Sequence, residues 1–160
     1  MVILGIDIGI NGAVAVLTGT GDLIAIHNMP TLADGPAGRR AVNAALLASL
    51  IYESHARSAF VELVNAWPGE GAVGAFSFGR SRGVIEGALA AAGVPCRFIT
   101  PTSWKRAVGI PFGKAGAKDA ARSKAIARWP EHAAMFARKC DDGRAEAALI
   151  AAAGLKVGSR

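Results

Sequence analysis

Hydrophobic and polar positions follow two different periods along this chain, one typical of strands and one typical of helices. Short apolar runs bounded by turn residues predict five β-strands. The first two are joined at Asn11-Gly12, a strong hairpin signal, and together with the third they predict an antiparallel meander. The predicted strands span residues 2–8, 12–18, 22–30, 58–63 and 95–99.

Apolar residues spaced three or four apart predict helices over much of the remaining chain. Thr100 is placed to cap one of them, with Pro101 at its first helical position. Two Gly- and Pro-containing segments, 31–40 and 64–79, are predicted to be loops. The predicted helices span residues 41–55, 80–92, 100–109, 114–129 and 142–154, with a short helix or irregular segment before the last.

The order of these elements predicts an α/β fold with a mixed five-stranded sheet flanked by helices. Three antiparallel strands come first, and parallel strands alternating with helices follow. With a carboxylate on the first strand, this is the element order of the RNase H-like fold. A chain of 160 residues fits one domain. We therefore predict a single domain over residues 1–155 and a C-terminal tail over residues 156–160.

Composition narrows the classes of function. The chain is 52% hydrophobic and 19% charged, which indicates a globular protein, and its formal charge is +6. That charge favours a polyanionic partner, such as nucleic acid or an acidic membrane surface. No run of about 18 uncharged apolar residues predicts a membrane span. Cys96 and Cys140 show no C-x-x-C spacing, so we interpret them as reduced thiols of a cytoplasmic protein.

Carboxylates occur in the sequence at places where burial is expected. Asp7 lies within the first strand and Glu62 ends the fourth, while Asp142 and Glu146 share one face of the last helix. If the first and fourth strands are neighbours, these side chains can converge. Clustered carboxylates repel one another, and a hard divalent cation such as Mg²⁺ or Mn²⁺ relieves that repulsion.

Each of these carboxylates also has a simpler interpretation. Asp7 could cap the turn formed by residues 9–12, and Glu62 could be solvated at a strand end. Asp142 could be a helix N-cap, or it and Glu146 could be exposed helix residues. The combination of strand, strand and late helix favours a shared site.

Several segments give the chain a resemblance to the RuvC-type Holliday junction resolvases, closest to the short versions carried by phages and prophages. They cover nearly the whole chain. The D-x-G strand alone is weakly specific, whereas "PTSWK" together with the terminal "DGRAEAAL" is much more specific. The segments are "ILGIDIG" at the start, "VEL" on the fourth strand, "FSFGRSRG", "TPTSWKRAVGIP", "KDAARSKAIARWP", and "DDGRAEAALIAAAG" near the end.

The resemblance implies a metal-dependent endonuclease that resolves four-way DNA junctions as a homodimer, leaving 5′-phosphate and 3′-hydroxyl nicks. It implies two Mg²⁺ ions per site, for which Mn²⁺ would substitute. The ligands would be Asp7, Glu62, Asp142 and Glu146. Many relatives have Asp where this chain has Glu146, so the geometry can differ. Asp141 competes with Asp142 as third ligand; Asp142 is favoured because it shares a helical face with Glu146.

Basic and aromatic residues are the predicted DNA contacts. The resemblance places Lys105 and Lys118 near the scissile phosphate, where Lys118 would stabilise developing charge as a catalytic residue. Trp67 is the candidate for stacking on an unpaired base, whereas Phe78 and, less strongly, Phe76 are expected in the core. The predicted DNA-binding set is Trp67, Arg80, Arg82, Lys105, Arg106, Lys114, Lys118 and Arg122.

Other functions fit parts of the same pattern. An RNase H-like nuclease could act on other branched DNA or on RNA–DNA hybrids. A protein with this fold could bind junctions without cutting them. The strand "GIDIGINGAVAVL" also resembles the phosphate-binding hairpin of actin-like kinases, although the chain lacks the length and the second phosphate loop of those enzymes.

Overall fold

The computed structural model describes residues 1–63, 65, 69–111 and 117–158, without the side chains of residues 117, 118 and 158. Its main sheet has five strands in the order β3-β2-β1-β6-β7. The strands are β1 (Val2–Asp7), β2 (Ala13–Thr18), β3 (Leu23–Asn28), β4 (Thr31–Ala33), β5 (Arg40–Val42), β6 (Ser58–Glu62) and β7 (Cys96–Ile99).

Pairing within the main sheet matches the predicted mixed topology. β1, β2 and β3 are antiparallel, whereas β6 and β7 run parallel to β1. The hairpin between β1 and β2 turns at residues 9–12, where the Gly12 amide donates to the Gly9 carbonyl at 3.1 Å. The expected five-stranded α/β fold is therefore confirmed.

Helices cover both faces of this sheet and form two hydrophobic cores. Helices α1 and α2 pack on one face, and α3, α4 and α5 pack on the other. Two 3-10 helices, Pro130–Phe136 and Lys139–Asp141, lead into the last helix. The α-helices are α1 (Ala44–Glu53), α2 (Ala72–Ala91), α3 (Pro101–Val108), α4 (Ala117–Arg128) and α5 (Asp142–Gly158).

Helix α5 lies against the centre of the sheet because its buried face consists of small residues. Ala147 and Ala151 are fully buried, and a Cβ atom added at Gly5 of β1 would lie 2.1 Å from the Ala147 carbonyl oxygen. Close packing of this kind requires glycine on the strand and alanine on the helix. The Ala-rich composition of α5 thus fixes the position of its N-terminus relative to β1.

Three boundaries differ from the sequence prediction. The predicted loop at 31–40 contains a two-stranded hairpin, because β4 and β5 pair around a Gly-containing tip. Helix α2 begins at Ala72, inside the predicted loop at 64–79, since its first turns are exposed and lack an apolar period. Helix α5 continues to Gly158, so that residues 156–158, predicted as tail, form its last turn.

Candidate active site

Two of the predicted carboxylates lie at the same edge of the sheet. Asp7 is the last residue of β1 and Glu62 is the last residue of β6. These strands are parallel, and their pairing register ends with Ile6 opposite Val61. Asp7 and Glu62 occupy the next position on each strand. Because neighbouring strands lie about 4.8 Å apart, this register places the two residues at neighbouring positions of the sheet edge.

The other two carboxylates reach this edge from α5. Asp142 is its first residue and Glu146 follows one turn later. Both line a pocket of about 180 Å³, here called the acidic pocket, together with Asp7, Asn11 and Phe78. A Cβ atom added at Gly143 would lie 3.0 Å from Asp7 Oδ2, which shows how closely α5 approaches β1. The structure therefore brings Asp7, Asp142 and Glu146 together.

The two adjacent aspartates are in different environments. Asp141 is 1% exposed and accepts hydrogen bonds from the Arg138 backbone amide at 2.8 Å and from Arg138 Nη2 at 2.9 Å. Arg144 Nη1 adds a contact at 3.6 Å. The hydrogen bonds from Arg138 hold the pKa of Asp141 below its ordinary value. Asp141 thus anchors the start of α5, while Asp142 faces the acidic pocket.

Glu62 is oriented by a buried tryptophan that the sequence did not single out. Trp104 is fully buried on α3, and its Nε1 donates to Glu62 Oε1 at 2.8 Å. The bond joins residues 42 positions apart in sequence. A hydrogen bond to a charged acceptor restrains the carboxylate more strongly than one between neutral groups. The other carboxylate oxygen of Glu62, Oε2, takes no part in the hydrogen bond with Trp104.

Two further hydrogen bonds connect the elements around the acidic pocket. Arg40 Nη2 donates to Asn11 Oδ1 at 2.8 Å, tying β5 to the turn after β1. Arg144 Nε donates to Asn28 Oδ1 at 2.7 Å, tying α5 to the end of β3. These contacts span long sequence separations, so local patterns gave no signal for them.

The donor chemistry of this edge suits a hard divalent cation, because four carboxylates supply only oxygen ligands. Within residues 1–63, 65, 69–111 and 117–158, however, no three His, Cys, Asp or Glu side chains are grouped closely enough to hold a metal as they stand. Asp7, Glu62, Asp142 and Glu146 as joint ligands therefore remain a prediction.

The predicted basic residues have varied surroundings. Arg80 pairs with Asp34, and Arg82 Nε lies 2.6 Å from Glu86 Oε1 with its guanidinium over the Phe98 ring. Lys105 Nζ lies 5.2 Å from the Trp104 ring centroid, while Arg106 is exposed at the end of α3.

Four further positions complete the predicted DNA-binding set. Arg122 pairs with Asp119 and donates to the Ala137 carbonyl, which gives it contacts within the protein. Lys118 belongs to α4, but its side chain lies outside the described part of the chain. Trp67 and Lys114 also lie outside the described residues.

Two aromatic residues differ from expectation. Phe78, expected in the core, is 42% exposed and lines the acidic pocket, and Phe76 is 72% exposed. Both lie in the first half of α2, where none of residues 72–80 is buried. The aromatic surface beside the carboxylates is therefore larger than the sequence indicated.

No family model and no curated protein sequence matches the chain. Among solved structures, Thermus thermophilus RuvC in complex with a Holliday junction substrate is similar, with 19% identity and a TM-score of 0.68. A second Thermus thermophilus RuvC structure has 18% identity and a TM-score of 0.61. Each alignment covers 99% of this chain and 97% of the other. The chain therefore has the fold of these RuvC structures over nearly its full length.

Proposed function

We propose that this protein is a metal-dependent endonuclease that resolves four-way DNA junctions by paired phosphodiester hydrolysis. The observation that carries the proposal is the acidic pocket of Asp7, Asp142 and Glu146, with Glu62 beside Asp7 on the neighbouring strand. It occurs in a fold shared with a RuvC structure that holds a Holliday junction substrate.

Two Mg²⁺ ions, or Mn²⁺ in their place, would be held by Asp7, Glu62, Asp142 and Glu146. When bound, such ions neutralise phosphate charge and lower the pKa of water, which is the chemistry that phosphodiester hydrolysis requires. The nicks would carry 5′-phosphate and 3′-hydroxyl ends. The protein itself contributes orientation. Trp104 restrains Glu62, and Asp141 with Arg144 fixes the start of α5 on which Asp142 lies.

Basic residues outside the pocket would hold the DNA. The formal charge of +6 favours a polyanion, and exposed Arg106 and the half-buried Lys105 lie on α3, next to the tryptophan that contacts Glu62. Phosphate contacts provide affinity without sequence readout, which suits a protein that recognises the shape of branched DNA. Lys118 would act on charge that develops at the scissile phosphate.

Paired cuts require two active sites, so we propose a twofold homodimer formed through α2. Gly79, Gly83 and Gly87 recur every four residues on this helix, and a Cβ atom added at each would have none of the described atoms within 4 Å. Glycines at this spacing allow two helices to approach closely. The proposed interface is the exposed face of residues 82–93, which carries Gly83, Gly87 and Ala90, because the apolar face with Ile85 and Leu89 is buried in the core of this chain.

Such a nuclease would work in the cytoplasm, where a bacterial or phage DNA substrate lies, and both cysteines are free thiols, as expected there. None of the helices that the structure describes is long and apolar enough to cross a membrane.

A cleavage assay with four labelled substrates tests the proposal. The substrates are a four-way junction, a branched flap, a linear duplex and an RNA–DNA hybrid, each incubated with Mg²⁺, Mn²⁺ or EDTA. We expect symmetric nicks in the junction only, and only with metal. Preferred cutting of the hybrid or flap would indicate another RNase H-like nuclease. Junction binding without cutting in either metal would indicate a non-catalytic module.

A further inference from the structure

A second cleft adjoins the acidic pocket on the side of α2. It has a volume of about 410 Å³ and lies between the β4–β5 hairpin and the first half of α2. Ile10 lines both this cleft and the acidic pocket, so the two lie next to each other at that residue.

Three arginines make the cleft basic. Arg39, Arg40 and Arg80 line it together with one carboxylate, Asp34. Asp34 pairs with Arg80. Arg40 donates to the neutral amide oxygen of Asn11, so its charge is not compensated there. Arg39 makes no ion pair with any residue that the structure describes. Two positive charges in the cleft therefore lack a compensating carboxylate.

The β4–β5 hairpin holds Arg39 and Arg40 in place, whereas Arg80 belongs to α2. Arg40 begins β5 and pairs with Ala33 of β4. The amide of Asp34 donates to the Arg39 carbonyl at 2.8 Å and closes the tip, where Gly38 has a φ of 71°. Because Arg39 precedes a paired strand directly, its side chain starts from an ordered backbone. A site built on an ordered element loses less entropy on binding than one on a free loop.

The α2 wall of the cleft carries exposed apolar side chains beside Arg80 and two serines. Val73 and Phe76 of α2 are each 72% exposed and line the cleft. An aromatic surface facing a basic one is the arrangement that proteins use for a nucleic acid strand, with phosphates on the cations and sugar or base on the ring. A small anion would leave this apolar wall unused.

We propose that this arginine cleft, formed by Arg39, Arg40 and Arg80, binds the phosphates that flank the scissile one on the same DNA strand. The site assignment rests on the proposed function, because that function places the scissile phosphate in the acidic pocket. Arg39 and Arg40 would contact backbone phosphates, and Phe76 would pack against the adjoining nucleotide.

The test measures junction affinity by fluorescence anisotropy in EDTA at several salt concentrations. We compare the wild type, the double variant Arg39→Ala/Arg40→Ala and the single variant Arg39→Ala. Each lost phosphate contact reduces the slope of log Kd against log salt by about 0.9. We expect a slope reduction of about 1.8 for the double variant and about 0.9 for the single one. The expected loss of affinity for the double variant is about tenfold at low salt.

Arg57→Ala is the matched control. Arg57 is exposed just before β6, at the opposite end of the sheet from Asp7, where its amide donates to Val2. This variant removes one positive charge, as Arg39→Ala does. We expect its junction affinity to stay within about twofold of wild type, with an unchanged slope of log Kd against log salt. A double variant that behaves like Arg57→Ala overturns the proposal.

Phosphate ethylation interference locates the contact. Ethyl groups on phosphates flanking the wild-type cut should weaken binding of the wild type and have no further effect on the double variant. If the double variant instead loses interference at phosphates far from the cut, the assignment of the cleft to the flanking phosphates is overturned. If the wild type cuts the junction and the double variant binds it with wild-type affinity, the arginine cleft is rejected and the proposed function is kept. Binding that depends on Arg39 and Arg40, by a wild type that does not cut, keeps the cleft as a DNA-binding site and rejects the proposed nuclease function. Absence of DNA binding by the wild type rejects the cleft and the proposed function together.

Discussion

At the scale of single residues, the contact between Trp104 and Glu62 links a buried aromatic to the edge of the acidic pocket. The indole nitrogen donates at 2.8 Å from a fully buried ring to a half-buried carboxylate, so the bond is partly shielded from water. A hydrogen bond to a charged group contributes about 1.5–3 kcal/mol. Trp104 is therefore expected to act as a positioning residue for Glu62.

Trp104→Phe removes the donor and keeps an aromatic ring. We expect the cleavage rate at limiting Mg²⁺ to fall by about tenfold, from the lost bond to a charged group, and to recover as Mg²⁺ is raised. Junction affinity in EDTA should change little. The measurement is the cleavage rate as a function of Mg²⁺ concentration.

Trp129→Phe is the control for this variant. Trp129 is also buried, and its Nε1 donates to the Gly21 carbonyl at 3.0 Å, on the same face of the sheet but at a different site. It should lose comparable stability without a changed Mg²⁺ requirement. Identical Mg²⁺ profiles for the two variants would reduce Trp104 to a core residue.

The buried carboxylate of Asp141 predicts an acid-sensitive contribution to stability. Hydrogen bonds from Arg138 hold its pKa below the ordinary value, so folding favours the ionised form. The resulting stabilisation is complete above the unfolded pKa of about 3.9 and is lost as pH falls through the lower folded value. Urea unfolding of wild type and Asp141→Asn should differ by a constant amount from pH 6 to pH 8. That difference should shrink below about pH 4, and a difference that persists there would contradict the account.

At the scale of elements, two helices carry small residues in a regular pattern, α5 where it packs on β1 and α2 on an exposed face. Helix α5 carries alanine where it meets Gly5 of β1, and this packing aligns Asp142 and Glu146 with Asp7. Helix α2 instead presents Gly79, Gly83 and Gly87 to open space among the described residues. The first pattern is satisfied within the chain, whereas the second is the basis of the proposed dimer.

Gly83→Leu tests the role of α2. Glycine destabilises a helix interior by roughly 0.5–1 kcal/mol relative to alanine, so the substitution should not unfold the monomer. A leucine between two closely packed helices should separate them. We expect light scattering to give the monomer mass, and junction cleavage to yield single, unpaired nicks.

Ser123→Leu adds the same side chain to an exposed position of α4, which packs on the other face of the sheet. This control should keep the mass of the wild type. A Gly83→Leu protein that retains the dimer mass would place the interface elsewhere on the molecule.

At the scale of the whole molecule, the mixed five-stranded sheet and the existence of five α-helices followed from the sequence because both periods were clear. The β4–β5 hairpin was missed since its strands have only three residues each. The start of α2 was missed because its first turns are exposed and rich in glycine. Four carboxylates were predicted at one edge. The strand register places Asp7 and Glu62 at neighbouring positions there, and Asp7, Asp142 and Glu146 line one pocket, while their joint binding of a metal stays a prediction.

The parts of the site that sequence could not predict are long-range contacts. Trp104 and Glu62 are 42 positions apart, and Arg144 meets Asn28 across 116 positions. Neither contact leaves a local pattern, because a buried Trp or an arginine in a helix has many possible partners. The arginine cleft was missed for the same reason: Arg39 and Arg80 become neighbours only once the hairpin packs beside α2.

The most direct measurement compares wild type and Asp7→Asn in two assays on one four-way junction. Cleavage is followed in Mg²⁺ and in Mn²⁺, and binding is followed in EDTA. Removing one carboxylate charge from the acidic pocket should abolish cutting in both metals and leave the Kd for the junction unchanged or lower. Cutting at the wild-type rate by Asp7→Asn would contradict the assignment of this pocket as the hydrolytic centre.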